Sequence, residues 1–172
     1  MEKTLLIKDK VIVFDDKTAS RLYNKGHFGS FQDGKLELSL EEALYLKSKK
    51  GLEIYDKKGK AMSTKAFINA AEKIQNRFWI RYSVFRDMRT MGYILKTAFK
   101  YGGDFRVYDK GSVPGKEHAL WILYAGSEHE SMPLLSFSAM NRVAHSVKKS
   151  VLLGIVDEEG SVTYYEINWR KF

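Results

Sequence analysis

Apolar and polar positions change period several times along this chain, and each change predicts an element. Leu5–Ile7 and Val11–Phe14 are short β-type runs parted by Lys8, Asp9 and Lys10, a hairpin pattern that Asp15 and Asp16 end. Asp16 can cap a short helix over Thr18–Asn24, and Gly26 would stop it. Leu36–Leu38 reads as a brief strand. Ser39 followed three residues later by Glu42 is a capping box, opening a helix that runs to Lys50 before Gly51. Leu52–Tyr55 reads as a strand and Ser63–Gln75 as a helix. Phe78–Thr90 carries Trp79, Ile80, Tyr82, Val84, Phe85 and Met88 on helical spacing. Beyond it the strand pattern thickens over Tyr93–Leu95, Asp104–Tyr108 and His118–Tyr124. Phe137–Lys149 is helical, and Val151–Val156 with Val162–Trp169 forms a last hairpin. These elements predict an α+β fold: a small helix-plus-antiparallel-strand domain over 1–80, then a mixed sheet with packed helices over 81–172.

The 172 residues are 44% hydrophobic, enough for a folded core and too apolar for a disordered chain. Apolar stretches of four to six residues are far short of a membrane span, and the charged N-terminus lacks a signal-peptide core, so a soluble cytoplasmic protein without a membrane partner is expected. With no cysteine, thiolate metal sites and thiol nucleophiles are excluded. The net charge of +8 favours a polyanionic partner, nucleic acid first. Residues 1–85 hold 17 basic and 11 acidic side chains and the remainder 12 and 10, so net charge does not locate a site.

Most catalytic templates are missing. There is no G-x-S-x-G, H-E-x-x-H, P-loop or dinucleotide fingerprint, and His27, His118, His129 and His145 have no ligand spacing, so no metal or cofactor is expected. Strand alternation puts Asp104, Arg106 and Tyr108 on one face, read as polar, and Phe105 and Val107 on the other. A polar Gly/Pro loop, Asp109–Glu117, delivers His118 to the mouth of an apolar strand, where an imidazole suits proton transfer. Arg142, Ser146 and Lys149 fall at i, i+4 and i+7, one stripe on a cationic helix end. Each position alone also has an ordinary structural reading. Together Tyr, His and Lys suit RNA transesterification: a base for the 2′-OH, an acid for the 5′-oxygen, and a cation for the charge gained at phosphorus. The nucleophile is tethered beside the phosphate, so no metal is required to bring it there.

The stretch Met91–Tyr108, with its Lys100-Tyr101-Gly102-Gly103-Asp104 run, then His118, then Arg142–Lys149, closely resembles the archaeal tRNA-splicing endonucleases. The spacings also match, ten positions from Tyr108 to His118 and 31 from His118 to Lys149. Weaker likeness extends to Lys10–Phe14 and Leu38–Leu46. The resemblance implies a metal-independent endoribonuclease that cuts precursor tRNA at a bulge–helix–bulge, leaving 2′,3′-cyclic phosphate and 5′-hydroxyl ends. It implies Tyr108 as general base, His118 as general acid and Lys149 as the charge stabiliser. It further implies RNA contacts by Arg142, with Ser146 beside it and Arg170 as second base-clamping candidate. Asp157, Glu158 and Glu159 resemble an acidic turn that enters a neighbouring subunit. A homotetramer is implied, with a heterotetramer containing a structural partner as the other arrangement. The alternative function is a non-catalytic RNA-binding or structural subunit. A DNA-binding module is a third class, disfavoured because no helix-turn-helix or zinc-finger signature is present.

Overall fold

Residues 4–172 are described by a computed structural model, and the chain divides into two units, Met1–Trp79 and Ile80–Phe172. In the first unit, β1 (Thr4–Ile7) and β2 (Lys10–Val13) form the expected hairpin, turned at Lys8 with φ 55°. Helix α1 (Asp16–Gly26) is capped by Asp15, one residue earlier than expected, whose carboxylate accepts the Thr18 backbone N–H at 2.7 Å. The antiparallel sheet is completed by β3 (Ser30–Gln32) and β4 (Lys35–Leu38), in the order β1-β2-β4-β3. Helix α2 (Leu40–Lys50) starts on the predicted capping box. Glu42 does more there than cap: one carboxylate oxygen accepts Ser39 N at 2.9 Å and the other accepts Gly29 N at 2.8 Å, pinning the chain ahead of β3. Leu52–Tyr55 is not a strand. Only Tyr55 bridges, to Leu5 and to Ala61, because the Asp56–Lys60 turn bends the chain away at once. Helix α3 (Thr64–Ile74), capped by Ser63, packs on α2.

Helix α4 (Phe78–Thr90) leads into the second unit. Its sheet is built from β5 (Ile94–Thr97), β6 (Phe105–Tyr108), β7 (Trp121–Ser127), β8 (Ser150–Val156) and β9 (Val162–Ile167), side by side in chain order. Every pairing is antiparallel except β7–β8, whose parallel crossover is helix α5 (Leu134–Ser146). The mixed sheet and the α+β class expected from the pattern are both present. One sheet face packs on α4, where Phe85 meets Phe105 at 5.6 Å between ring centres. A Cβ on Gly154 would lie 3.2 Å from both Val84 and Tyr164, so this position keeps the helix close to the sheet. The other face packs on α5 through Ile122, Tyr124, Ala144 and Val151. No helix among the described residues is long and apolar enough to cross a membrane.

Asp104 is not the exposed strand residue that alternation suggested. Its carboxylate pairs with Arg81 of α4 at 2.6 Å and accepts Ala125 N at 2.8 Å, with both charged side chains nearly buried. On the same helix Asp87 accepts the Tyr164 hydroxyl at 2.8 Å. Burial first, and the Asp87 carboxylate second, push the Tyr164 phenol well above its ordinary value. The unfolded chain releases that proton near pH 10, whereas the folded chain holds it. The contribution is therefore complete below about pH 10 and fades as pH rises further. Tyr164→Phe is expected to cost about 1 kcal/mol at pH 7, a hydrogen bond to a partly screened charge. In urea titrations the gap from wild type closes near pH 10.5, and parallel pH dependences of the two proteins would contradict the assignment.

Candidate active site

The strand register brings distant parts of the second unit to one end of the sheet. Val107 of β6 lies opposite Trp121 of β7, and Trp121 lies opposite Ser150 of β8. One step outward, where β6 ends and β7 and β8 begin, the same register aligns Tyr108, Leu120 and Lys149. The hydrogen bond from Leu120 N to Val107 O, 2.7 Å, continues the ladder to that point. Two strand spacings separate the outer positions, roughly 10 Å between backbones. Alternation puts all three on the α5 face, since Arg106 opposes Ile122 and Ile122 opposes Val151. His118 stands two residues before Leu120, about 7 Å further out at the same end. A phenol, an imidazole and an ammonium group thus come from three chain segments to one sheet margin.

Each is held differently. Tyr108 is buried, opposite Ile94, and packs with Ile94 and Ala119. The polar-face reading of this tyrosine is thereby corrected: its ring belongs to a small apolar cluster, with the Arg106 guanidinium 6.0 Å from the ring centre. His118 is exposed, and it precedes β7 rather than opening it. Its backbone is nonetheless anchored on both sides. Ahead of it, the Ser112 hydroxyl, itself buried, donates to one Glu117 carboxylate oxygen at 2.7 Å while Val113 N donates to the other at 3.4 Å. Behind it, Ala119 is buried in the Tyr108 cluster. The Ser112–Glu117 tie has no sequence motif; only the fall of a serine and a glutamate at the two ends of one tight loop hinted at it.

Lys149 is not on the helix. Helix α5 stops at Ser146, and Lys148 takes a left-handed φ of 56°. Lys149 N then donates to Ala144 O at 2.9 Å, closing the helix end. The expected Arg142–Ser146–Lys149 stripe therefore breaks after its second member. What replaces it suits an ammonium group, because the carbonyl end of a helix carries partial negative charge. The half-buried Lys149 lies along a groove of about 270 Å³ that Leu120, Asn141, Ala144 and His145 also line.

Arg142 is exposed on α5, and the exposed Ser146 hydroxyl donates to Val143 O at 2.7 Å. Arg170 follows β9 in the exposed C-terminal segment, its guanidinium 5.9 Å from the Phe172 ring centre. Neither arginine lines the groove. Asp157, Glu158 and Glu159 form the β8–β9 turn at the opposite end of β8. Asp157 accepts Ser161 N at 2.8 Å, and Glu158 reaches the His129 ring at 3.0 Å and donates its N–H to Glu128 at 2.9 Å. Among the described residues no three His, Asp or Glu side chains gather as a metal site.

The chain as a whole has relatives among known proteins. Residues 78–164 match the family model of the tRNA intron endonuclease catalytic C-terminal domain, and residues 2–68 match that of its N-terminal domain. Similar curated proteins include the tRNA-splicing endonucleases of Methanothermobacter thermautotrophicus and Thermococcus kodakarensis. The first is 38% identical over 151 residues, 88% of this chain and 87% of that protein. The second is 38% identical over 164 residues, 95% of each chain. The tRNA-splicing endonuclease of Nanoarchaeum equitans is 42% identical over 141 residues, 78% of this chain and 90% of that protein. Two domain models in sequence order and likeness over nearly the whole length lead to one conclusion: the chain belongs to the tRNA intron endonuclease family.

Proposed function

We propose that this protein excises introns from precursor tRNA as a metal-independent endoribonuclease, cutting a bulge–helix–bulge at both splice sites. The observation that carries the reading is the shared sheet end of Tyr108, Lys149 and the loop that presents His118. Tyr108 takes the proton of the 2′-OH, or orients that hydroxyl for attack on the adjacent phosphorus. As the new P–O bond forms, the bond to the 5′-oxygen breaks, and His118 donates the proton that this oxygen needs. Lys149 balances the charge gained by the non-bridging oxygens. The products are a 2′,3′-cyclic phosphate and a 5′-hydroxyl, with no water consumed. The tethered 2′-OH supplies the nucleophile at high effective concentration, the service a metal ion would otherwise render.

One chain carries one such set of residues, whereas intron removal needs two cuts. We therefore assign the working form to an assembly, a homotetramer in the first instance or a heterotetramer with a structural partner. Asp157, Glu158 and Glu159 serve at its subunit contacts, and Arg142 and Arg170 hold unpaired bases, for which a planar guanidinium is suited. The deciding experiment is cleavage of a bulge–helix–bulge RNA in EDTA by the full-length protein, with end-group analysis and sedimentation of the same preparation. Cyclic phosphate ends under chelation and a four-chain particle are expected. Strict Mg²⁺ dependence or 3′-hydroxyl ends would refute the chemistry, and a lone 19.8-kDa species at working concentration would refute the assembly.

A further inference from the structure

Just past Tyr108, the same sheet end carries a cation that the cleavage chemistry does not use. Lys110 follows Tyr108 by two residues. Its ammonium group lies 5.2 Å from the centre of the Tyr93 ring, and that ring meets Trp121 edge-on, 5.8 Å between centres at 70°. The ring beneath the lysine is itself anchored. Tyr93 N donates to Met88 O at 3.1 Å, closing the end of α4, and Tyr93 stands one residue before Ile94, the β5 partner of Tyr108. The lysine stem passes Gly92, where an added Cβ would sit 3.6 Å from both its Cγ and its Cδ. The neighbouring acid is turned to the main chain, since the Asp109 carboxylate accepts the Lys110 backbone N–H at 2.8 Å. Lys110 is exposed, and among the described residues no carboxylate pairs with its ammonium group.

We propose that Lys110 binds a backbone phosphate of the RNA on the 5′ side of the nucleotide whose 2′-OH attacks. The proposal rests on the endoribonuclease reading above. A surface lysine is ordinarily a mobile chain, and fixing it on a ligand costs rotamer entropy. Here the aromatic face already narrows its range. The ring attracts the ammonium group but supplies no counter-charge, so the charge and its N–H donors stay available to an anion. The polarity follows from the strand order. Lys149, at the scissile phosphate, and Tyr108, at the 2′-OH on its 5′ side, lie at the ends of β8 and β6, with β7 between them. Tyr93 and the ammonium group above it lie one strand further in the same direction, beside β5. An RNA strand that continues along this margin brings its next phosphates on the 5′ side to Lys110. The reacting ribose is then flanked by two cations, which sets its place along the strand without reading a base. Arg106 does not serve this purpose: its Nε donates to Thr97 O at 3.3 Å, toward the other end of β6.

The test measures binding of a bulge–helix–bulge RNA with 2′-deoxyribose at both scissile positions, which binds and cannot be cut, over a series of salt concentrations. Lys110→Ala is expected to weaken binding about fivefold. It should also flatten the slope of log affinity against log salt by about 0.7 for each cutting site that the RNA fills, the signature of one lost phosphate contact. Lys110→Arg should keep the slope. Tyr93→Leu, which removes the ring and leaves the lysine, should weaken binding about twofold at the wild-type slope, and Tyr93→Phe should match wild type. Neutral methylphosphonates placed at single positions in turn locate the contact. One position on the 5′ side of the attacking nucleotide should cost wild type about fivefold and cost Lys110→Ala almost nothing further. A wild-type salt slope in Lys110→Ala would overturn the contact. So would losses that add at every position, or a shared position on the 3′ side of the scissile phosphate. Cleavage of the unblocked RNA separates the layers. Wild type that cuts while Lys110→Ala binds with wild-type affinity and slope sinks the phosphate contact alone; wild type that neither cuts nor binds sinks the nuclease reading and the contact with it.

Discussion

His118→Ala should lower single-turnover RNA cleavage by about 10²- to 10⁴-fold, with RNA affinity changed by less than about twofold. The side chain is exposed and its backbone is held independently, by the Ser112–Glu117 tie ahead and by buried Ala119 behind. Truncation at Cβ therefore removes an imidazole without removing a packing element, and the folded state should survive. What disappears is the proton for the departing 5′-oxygen. An alkoxide is a poor leaving group, so the full loss should appear with natural RNA. A substrate whose 5′-oxygen is replaced by sulfur leaves as a thiolate and needs no such proton. His118→Ala should cut that substrate at nearly the wild-type rate. Equal losses on the oxygen and sulfur substrates would remove His118 from the leaving-group step. Full activity on both would remove it from the mechanism.

The same loop shows how far the amino-acid pattern reaches. Alternating and helical periods located both expected hairpins and the capping box at Ser39, because each depends on neighbours within a few residues; the mixed sheet was legible only from the order of its elements. β3 escaped notice because Ser30, Phe31 and Gln32 are all exposed on an edge strand, so burial imposes no alternation there. Leu52–Tyr55 has a strand's composition but lacks a partner along its length, and pairing rather than propensity decides. The errors at the two ends of α5 have separate causes. Three exposed apolar positions, Met132, Leu134 and Leu135, hid the early start of the helix, and the left-handed turn at Lys148 ended it before Lys149. Lysine rarely adopts that φ, so nothing in residue type announces the stop.

Tyr108 and Asp104 mark the same limit at the site itself. Alternation holds for Arg106 and Tyr108, which share a face, but not for Asp104, which precedes the strand and turns to Arg81 of α4; which faces are buried depends on α4, α5 and β5, none of which is local to the strand. The residue types and spacings singled out the three chemical groups. Their common address at one sheet end follows from the β6–β7–β8 register, which no local pattern encodes. Trp169 and His145 obey the same limit: 24 positions separate them in the chain, while their rings touch.

Lys149→Ala should reduce the cleavage rate by about 10²- to 10³-fold, the usual loss when a preorganised stabiliser of developing charge is removed. Its position explains why the effect falls on rate more than on binding. The phosphate carries one negative charge before reaction and gains a second as the 2′-oxygen adds, so a fixed cation gains most at the phosphorane. The ammonium group is half-buried against the carbonyl end of α5, with a long 3.5 Å approach to Val147 O and no carboxylate hydrogen-bonded to it among the described residues. It is thus free to turn to a phosphate without breaking an ion pair. Stability should fall by no more than about 1 kcal/mol, the loss of a charge at a helix C-terminus. Small alkylammonium ions added to Lys149→Ala should restore part of the rate in a saturable way, since the groove that held the side chain remains. Lys149→Met, which keeps the length without the charge, should be as slow as alanine and should respond little to the added cation, because its side chain fills that space. A variant that loses affinity in proportion to rate, and that no ammonium ion rescues, would make Lys149 a backbone-binding residue and leave the phosphorane to be stabilised elsewhere.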